Sequence, residues 1–168
     1  MKFKSNIAVL IFSCFLLSSS VSWAEGKMDE HIFSSWDIFE VDKCASIWLI
    51  KRFVDKDALF LFSPKESFVL KGAAFDVPDA DFRRYHNMST YQSILKYYKL
   101  NDSVLVKIGK RIFDIEVNYW GDKFFDDSKQ IETEVKDIIE KNKNHQVVVN
   151  KSLFYFDKLY ERYKQRKE

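Results

Sequence analysis

Hydrophobic positions along the chain fall into three kinds of pattern. The first is a largely apolar run, Ile7 to Leu17, behind Lys2 and Lys4 and ahead of Ser18 to Ala24. At about 11 residues it is well short of the ~20 that span a bilayer as a helix. A basic start, a short apolar middle and small residues at Ser22 and Ala24 are the order of an export signal. Residues 1–24 are therefore expected to be a cleaved signal peptide. Cleavage leaves no stable membrane anchor and places the protein in the periplasm or outside the cell. Cys14 lies within the run, too early for a lipid-attachment cysteine.

The second pattern is strand-like. Trp36-Asp37-Ile38-Phe39-Glu40-Val41 alternates, and Ala58-Leu59-Phe60-Leu61-Phe62 is a continuous apolar run ended by Pro64, which predicts a buried strand. Ala73 to Val77 reads as a further short strand stopped by Pro78, and Lys65 to Leu70 as one helical turn before Gly72. The polar stretch Glu25 to Ser35 reads as a flexible lead.

The third pattern is helical and dominates the rest. From Lys43 to Val54 there is no Pro or Gly, Asp42 stands where a cap belongs, and Ala45, Trp48, Leu49 and Phe53 share a face with Arg52. Trp48 is expected in the core between this helix and the strand Ala58 to Phe62. Thr90 to Leu100, Ser103 to Tyr119 and Asp127 to Asn142 keep helical spacing, with Ser89 or Thr90 and Asp102 or Ser103 as caps. Val147-Val148-Val149 looks like a strand, but Leu153, Phe156, Leu159, Tyr160 and Tyr163 favour a long terminal helix. The predicted class is α+β, a single domain over residues 36–168 with a small sheet near the start and a mostly helical second half.

Charge narrows the partners. The 168 residues carry 27 Lys and Arg against 25 Asp and Glu, and loss of Lys2 and Lys4 with the signal makes the two numbers equal. A neutral chain lacks the basic excess that releases counterions from phosphates, so nucleic acid is not an expected partner. Cleavage also removes Cys14 and leaves Cys44 alone, so the exported domain has no internal disulfide and must rely on packing.

No phosphate-cradling glycine loop, nucleophile elbow, H-E-x-x-H or C-x-x-C is present. The wording of one segment is more telling. Val41-Asp42-Lys43-Cys44-Ala45-Ser46-Ile47-Trp48-Leu49-Ile50-Lys51-Arg52-Phe53-Val54-Asp55 resembles the opening motif of the C-terminal domain of the chromate-resistance regulators. That domain also occurs alone, behind a signal peptide, as the chromate resistance exported protein. Further similarity follows at Ala58 to Phe62, Gly72 to Val77, Asp81, Tyr91 and Phe156-Asp157-Lys158-Leu159-Tyr160. The resemblance spans most of residues 36 to 163 and is specific over 36 to 82. The chain departs from it at Ser46 and Ile47, where the family writes cysteine and proline, at Arg84, where it tends to place histidine, and at Ser89, where it has cysteine. A family mechanism based on paired cysteines therefore does not transfer.

Candidate chemistry gathers around the first helix and the segment after Pro78. Cys44 is a buried core thiol, a thiolate activated by the helix start and Lys43, or a partner for another chain. Arg52, if it points inward with Trp48, needs a carboxylate or an anion, with Asp76 as its internal partner; on a surface reading it pairs with Asp55 at i, i+3. Asp57 lies near the same helix. His86, after Arg83-Arg84-Tyr85 and near Asp76, Asp79 and Asp81, can hold an anion when protonated, act as a base, or bind a metal with Asp81. Two functional expectations result. One is an exported accessory protein of oxyanion resistance that binds a small oxyanion or small molecule through Lys43, Arg52, Arg84, His86, Asp76 and Asp81, with Arg83 alongside. The other is a small exported enzyme using Asp42, Asp76, Asp81 and His86, with His86 and Asp81 as candidate metal ligands. Neither the sequence nor the resemblance names a cofactor or an oligomeric state.

Overall fold

A computed structural model describes residues 31–67, 71–118 and 120–166. The expected signal peptide and the first residues of the expected lead lie outside the described residues. Three parallel strands, β1 (Ile32–Trp36), β2 (Leu59–Ser63) and β3 (Ala73–Ala74), form a sheet in the order β2-β1-β3. Five helices follow the chain order: α1 (Val41–Leu49), which runs on into a π-helical turn at Ile50–Val54, then α2 (Thr90–Tyr97), α3 (Ser103–Glu116), α4 (Ser128–Glu140) and α5 (His145–Gln165). The α+β class, the early sheet and the helical second half are as the patterns predict.

The sheet differs from expectation in two places. Its central strand is Ile32–Trp36, so residues assigned to a flexible lead are the middle of the sheet, and residues 37–40 form the link to α1. Ser34 and Ser35 disguise the strand: both are polar and both are buried. The second difference is β2, which was expected to be buried. Register pairs Phe33 with Phe60 and Ser35 with Phe62 on the core face, and Ile32 with Leu59 and Ser34 with Leu61 on the other. β2 is an edge strand, and Leu59 and Leu61 are 58% and 42% exposed. A continuous apolar run does not reveal on its own that only alternate residues are covered. Gly72 admits β3 to the sheet: its φ is +67°, and a Cβ there would meet the Ile32 carbonyl oxygen at 2.1 Å.

Helix caps follow the chemistry of the sequence. Ser89 accepts the Gln92 N–H while the Gln92 side chain accepts the Ser89 N–H, a complete capping box for α2. Asp102 caps α3 through the N–H groups of Val104 and Leu105, and Asn144 caps α5 through those of Gln146 and Val147. Val147, Val148 and Val149 belong to that terminal helix.

At the centre lies α1, all nine of whose residues are buried and on which all four later helices pack. Trp48 is 1% exposed. Its ring packs on Phe156 and Tyr160 of α5 and on Phe53, in the same core cluster that Ala58, Phe60 and Phe62 join. Ile108, Ile112, Ile115, Ile131, Val135, Phe156 and Leu159 complete the core. A helix covered on every side should be apolar all round. This one carries Asp42, Lys43 and Ser46, and each must find partners inside the protein.

Candidate functional site

Those partners define the site. Asp42, fully buried, does not cap its own helix; its Oδ2 accepts the N–H of Thr90 at 2.7 Å and its Oδ1 that of Tyr91 at 2.8 Å, at the start of α2. The start of α1 is served in turn by Glu116, the last residue of α3, whose Oε1 accepts the N–H groups of Val41 at 2.9 Å and Asp42 at 3.3 Å. Two helix N-termini are thus capped by carboxylates distant in sequence, where the helix dipole favours negative charge. The sequence reading made Asp42 the cap of the helix it begins. Glu40 holds that place, in extended conformation and without a capping bond.

Lys43 is 2% exposed. Its ammonium donates to the backbone carbonyls of Trp36, at 2.7 Å, and Ile38, and lies 3.7 Å from Asp76 Oδ2. Asp76 follows β3 with a positive φ of 55°, and its Oδ1 accepts the Thr90 hydroxyl at 2.8 Å. Arg84 reaches in from the segment after Pro78 and touches three carboxylates: Glu40 at 2.9 Å, Glu116 at 3.3 Å and Asp42 at 3.5 Å.

Burial sets the electrostatics of this network. It pushes the Asp42 carboxyl up to about 7, helped by the charge of Asp76 and opposed by Arg84 and the Tyr91 and Thr90 N–H groups. It raises Asp76 against the pull of Lys43 and Thr90, and Glu116 against that of Arg84. It lowers Lys43, with Asp76 and Glu40 acting to restore it. For Arg84 burial disfavours the charge, but Asp42, Glu116, Asp76 and Glu40 hold it above its ordinary value.

Over this network opens a cleft of about 410 Å³ lined by Trp36, Ile38, Glu40, Lys43, Lys65, Asp76, Val77, Pro78, Arg83 and Arg84. Four side chains of positive charge and two of negative charge face it, between apolar walls. The volume suits a small molecule or ion. Of the residues singled out in the sequence, Lys43, Asp76 and Arg84 come together here with Arg83. Arg52, His86 and Asp81 do not line this cleft.

Arg52 does share a face with Trp48, but its partner there comes from α5 and is not Asp76. Its guanidinium forms a two-pronged pair with Asp157, at 3.0 and 2.8 Å, and Trp48 Nε1 donates to the same carboxylate at 2.8 Å. Asp157 thus takes the place expected for Asp76. Asp55, expected beside Arg52, instead meets His31 at 2.7 Å. His86 is exposed in a tight turn closed by Tyr85 and Met88, and Asp81 is exposed as well. Among the described residues no group of three or more His, Cys, Asp or Glu side chains is placed to hold a metal ion. Cys44 is buried, and burial pushes its thiol up to about 12, opposite to the activation that the helix start and Lys43 suggest.

Sequence reasoning passed over Glu116, Glu40 and Lys65, and took Thr90 only as a possible helix cap. Glu40 stands next to the helix and was within reach of it. Glu116, 74 positions from Asp42 along the chain, has no local signal, since its role depends on how α3 packs on α1.

A second basic groove lies between the start of α3 and the end of α5. Lys107, Lys110, Arg111, Lys164 and Arg166 line it with Asp102 and the rings of Phe125, Tyr160 and Tyr163. Arg111 is held there by Asp127 at 3.1 Å and stacks on Phe125.

Compared with known proteins, residues 33–163 match the family described as ChrB, C-terminal domain. No curated protein and no solved structure matches the chain.

Proposed function

The chain belongs to the ChrB C-terminal domain family, which is linked to chromate resistance, and from that premise we propose an exported accessory protein that binds a small oxyanion or similar small anion. One observation carries the reading: Lys43, Lys65, Arg83 and Arg84 converge on a single cleft of about 410 Å³. Lys43 and Arg84 are fixed there by backbone carbonyls and by carboxylates that offset part of their charge. Arg83 and Lys65 are the cations that can turn onto a ligand. In a partly dry cleft such charge counts for more than in water, because the effective dielectric is lower.

Calorimetric titration of the mature protein with chromate tests this. Arg83→Ala and Lys65→Ala should each weaken binding by about tenfold or more, the size of one charge-assisted contact. Arg84→Ala is a poor probe, since it strands Asp42 and Glu116 without a counter-charge. Absence of heat with any oxyanion would refute the reading. Export rests on Lys2, Lys4, Ile7 to Leu17 and Ser22 to Ala24. Intact mass of the protein from the periplasm should begin at Glu25, and retention of residues 1–24 in a membrane fraction would contradict it.

A further inference from the structure

An anion cleft with carboxylates on its wall poses a chemical question. Glu40 and Asp76 face the same space as Lys43, Lys65, Arg83 and Arg84. A fully ionised oxyanion placed there gains from the cations but has oxygens set against carboxylate oxygens, which neither donate nor carry a proton to share. An oxyanion that retains one O–H meets a different surface, because that O–H can donate to a carboxylate while its other oxygens accept from the cations.

Asp76 is placed for that task. The groups around it come from several elements: Lys43 and Cys44 from α1, Thr90 from α2, Glu116 from α3 and Arg84 from the segment after Pro78, with Glu40 and Asp42 in the same charge network. Thr90 occupies Oδ1 with a hydrogen bond of 2.8 Å. Oδ2 has Lys43 at 3.7 Å, longer than a hydrogen bond, so it keeps acceptor capacity, and Asp76 is one of the residues that line the cleft. The side chain is 8% exposed, so the acceptor is fixed in position and poorly served by solvent. A buried acceptor built to take an O–H discriminates strongly against a ligand that lacks it, since the polar group is then left unpaired or repelled.

Resting on the anion-binding reading, we propose that Asp76 makes the cleft selective for oxyanions that keep a proton near neutral pH over those that do not. Phosphate, arsenate and chromate are of the first class; sulfate and molybdate are of the second. In its ionised form, favoured by the Lys43 ammonium 3.7 Å away, Asp76 accepts the ligand's O–H, and Lys43, Lys65, Arg83 and Arg84 neutralise the remaining charge.

Competition calorimetry with phosphate and sulfate at pH 6.5 tests this on the unmodified mature protein, with chromate as the common competitor. Phosphate should bind at least tenfold more tightly than sulfate. Asp76→Asn, which presents an N–H in place of one acceptor and tolerates a positive φ, should raise sulfate affinity and reduce the phosphate-to-sulfate ratio to near one. Equal or tighter sulfate binding by the unmodified protein would overturn the selectivity while leaving anion binding intact. An unchanged ratio in a folded Asp76→Asn protein would likewise remove Asp76 from the role. Failure of phosphate, sulfate and chromate all to bind would instead overturn the anion-binding reading on which this rests.

Discussion

Asp157 shows how much one carboxylate can organise. It receives both the Arg52 guanidinium and the Trp48 indole N–H, but the two bonds lie in different surroundings. Arg52 and Asp157 are 42% and 40% exposed, so solvent screens the ion pair and Arg52→Ala should cost less than about 1 kcal/mol. Asp157→Ala also leaves the N–H of the buried Trp48 without its acceptor, which adds about 1–3 kcal/mol. Urea denaturation of the two variants should therefore rank Asp157→Ala as clearly the more damaging. Equal midpoints would mean that the indole N–H finds water. Periodicity brought Arg52 to the right face of its helix, but the partner was invisible because it comes from a helix 105 positions away.

At the scale of elements, α1 governs the molecule, since all four later helices pack on it. Its contact with α5 is largely aromatic: Trp48 with Phe156 and Tyr160, and Phe53 with Tyr160. Trp48→Ala should cost about 3–5 kcal/mol, as for other large aromatic truncations, measured as a lowered denaturation midpoint with an unchanged slope. A change below about 1 kcal/mol would mean that α5 does not depend on this contact. Helices were legible because their period and caps are local: Ser89, Asp102 and the α5 face bearing Phe156 and Leu159 can be read from the chain alone. Strands were harder. β1 hides behind Ser34 and Ser35, and the exposed face of β2 follows only from its position at the sheet edge. The site was half legible, since Lys43, Asp76 and Arg84 stand out as charges beside apolar elements. Glu116 joins them solely through the packing of α3 against α1.

For the whole molecule the network makes stability depend on pH in a definite direction. Asp42 is raised to about 7 by burial and the Asp76 charge, and Asp76 and Glu116 are raised by burial. These carboxyls bind protons more strongly in the fold than in the unfolded chain, where they titrate near 4. Between about pH 4 and pH 7 the native state therefore holds more protons, and their stabilising contribution is lost as pH rises through that window. Lys43, lowered by burial, acts at higher pH and in the opposite sense. The urea midpoint should fall between about pH 5 and pH 7.5, and Asp42→Asn should flatten that slope. A midpoint that rises over the same range would show that Arg84 holds these carboxyls ionised.

The central claim is that an oxyanion sits in the cleft over Lys43, Asp76 and Arg84, and the basic groove of α3 and α5 is its natural competitor. Two-dimensional 1H–15N spectra recorded during a chromate titration distinguish them most directly. The account predicts saturable shifts at the Trp36 indole N–H and the backbone amides of Lys43, Asp76, Arg83 and Arg84, with Lys107, Lys110 and Lys164 unmoved. Shifts confined to Lys107, Lys110 and Lys164, or none at all, would contradict it.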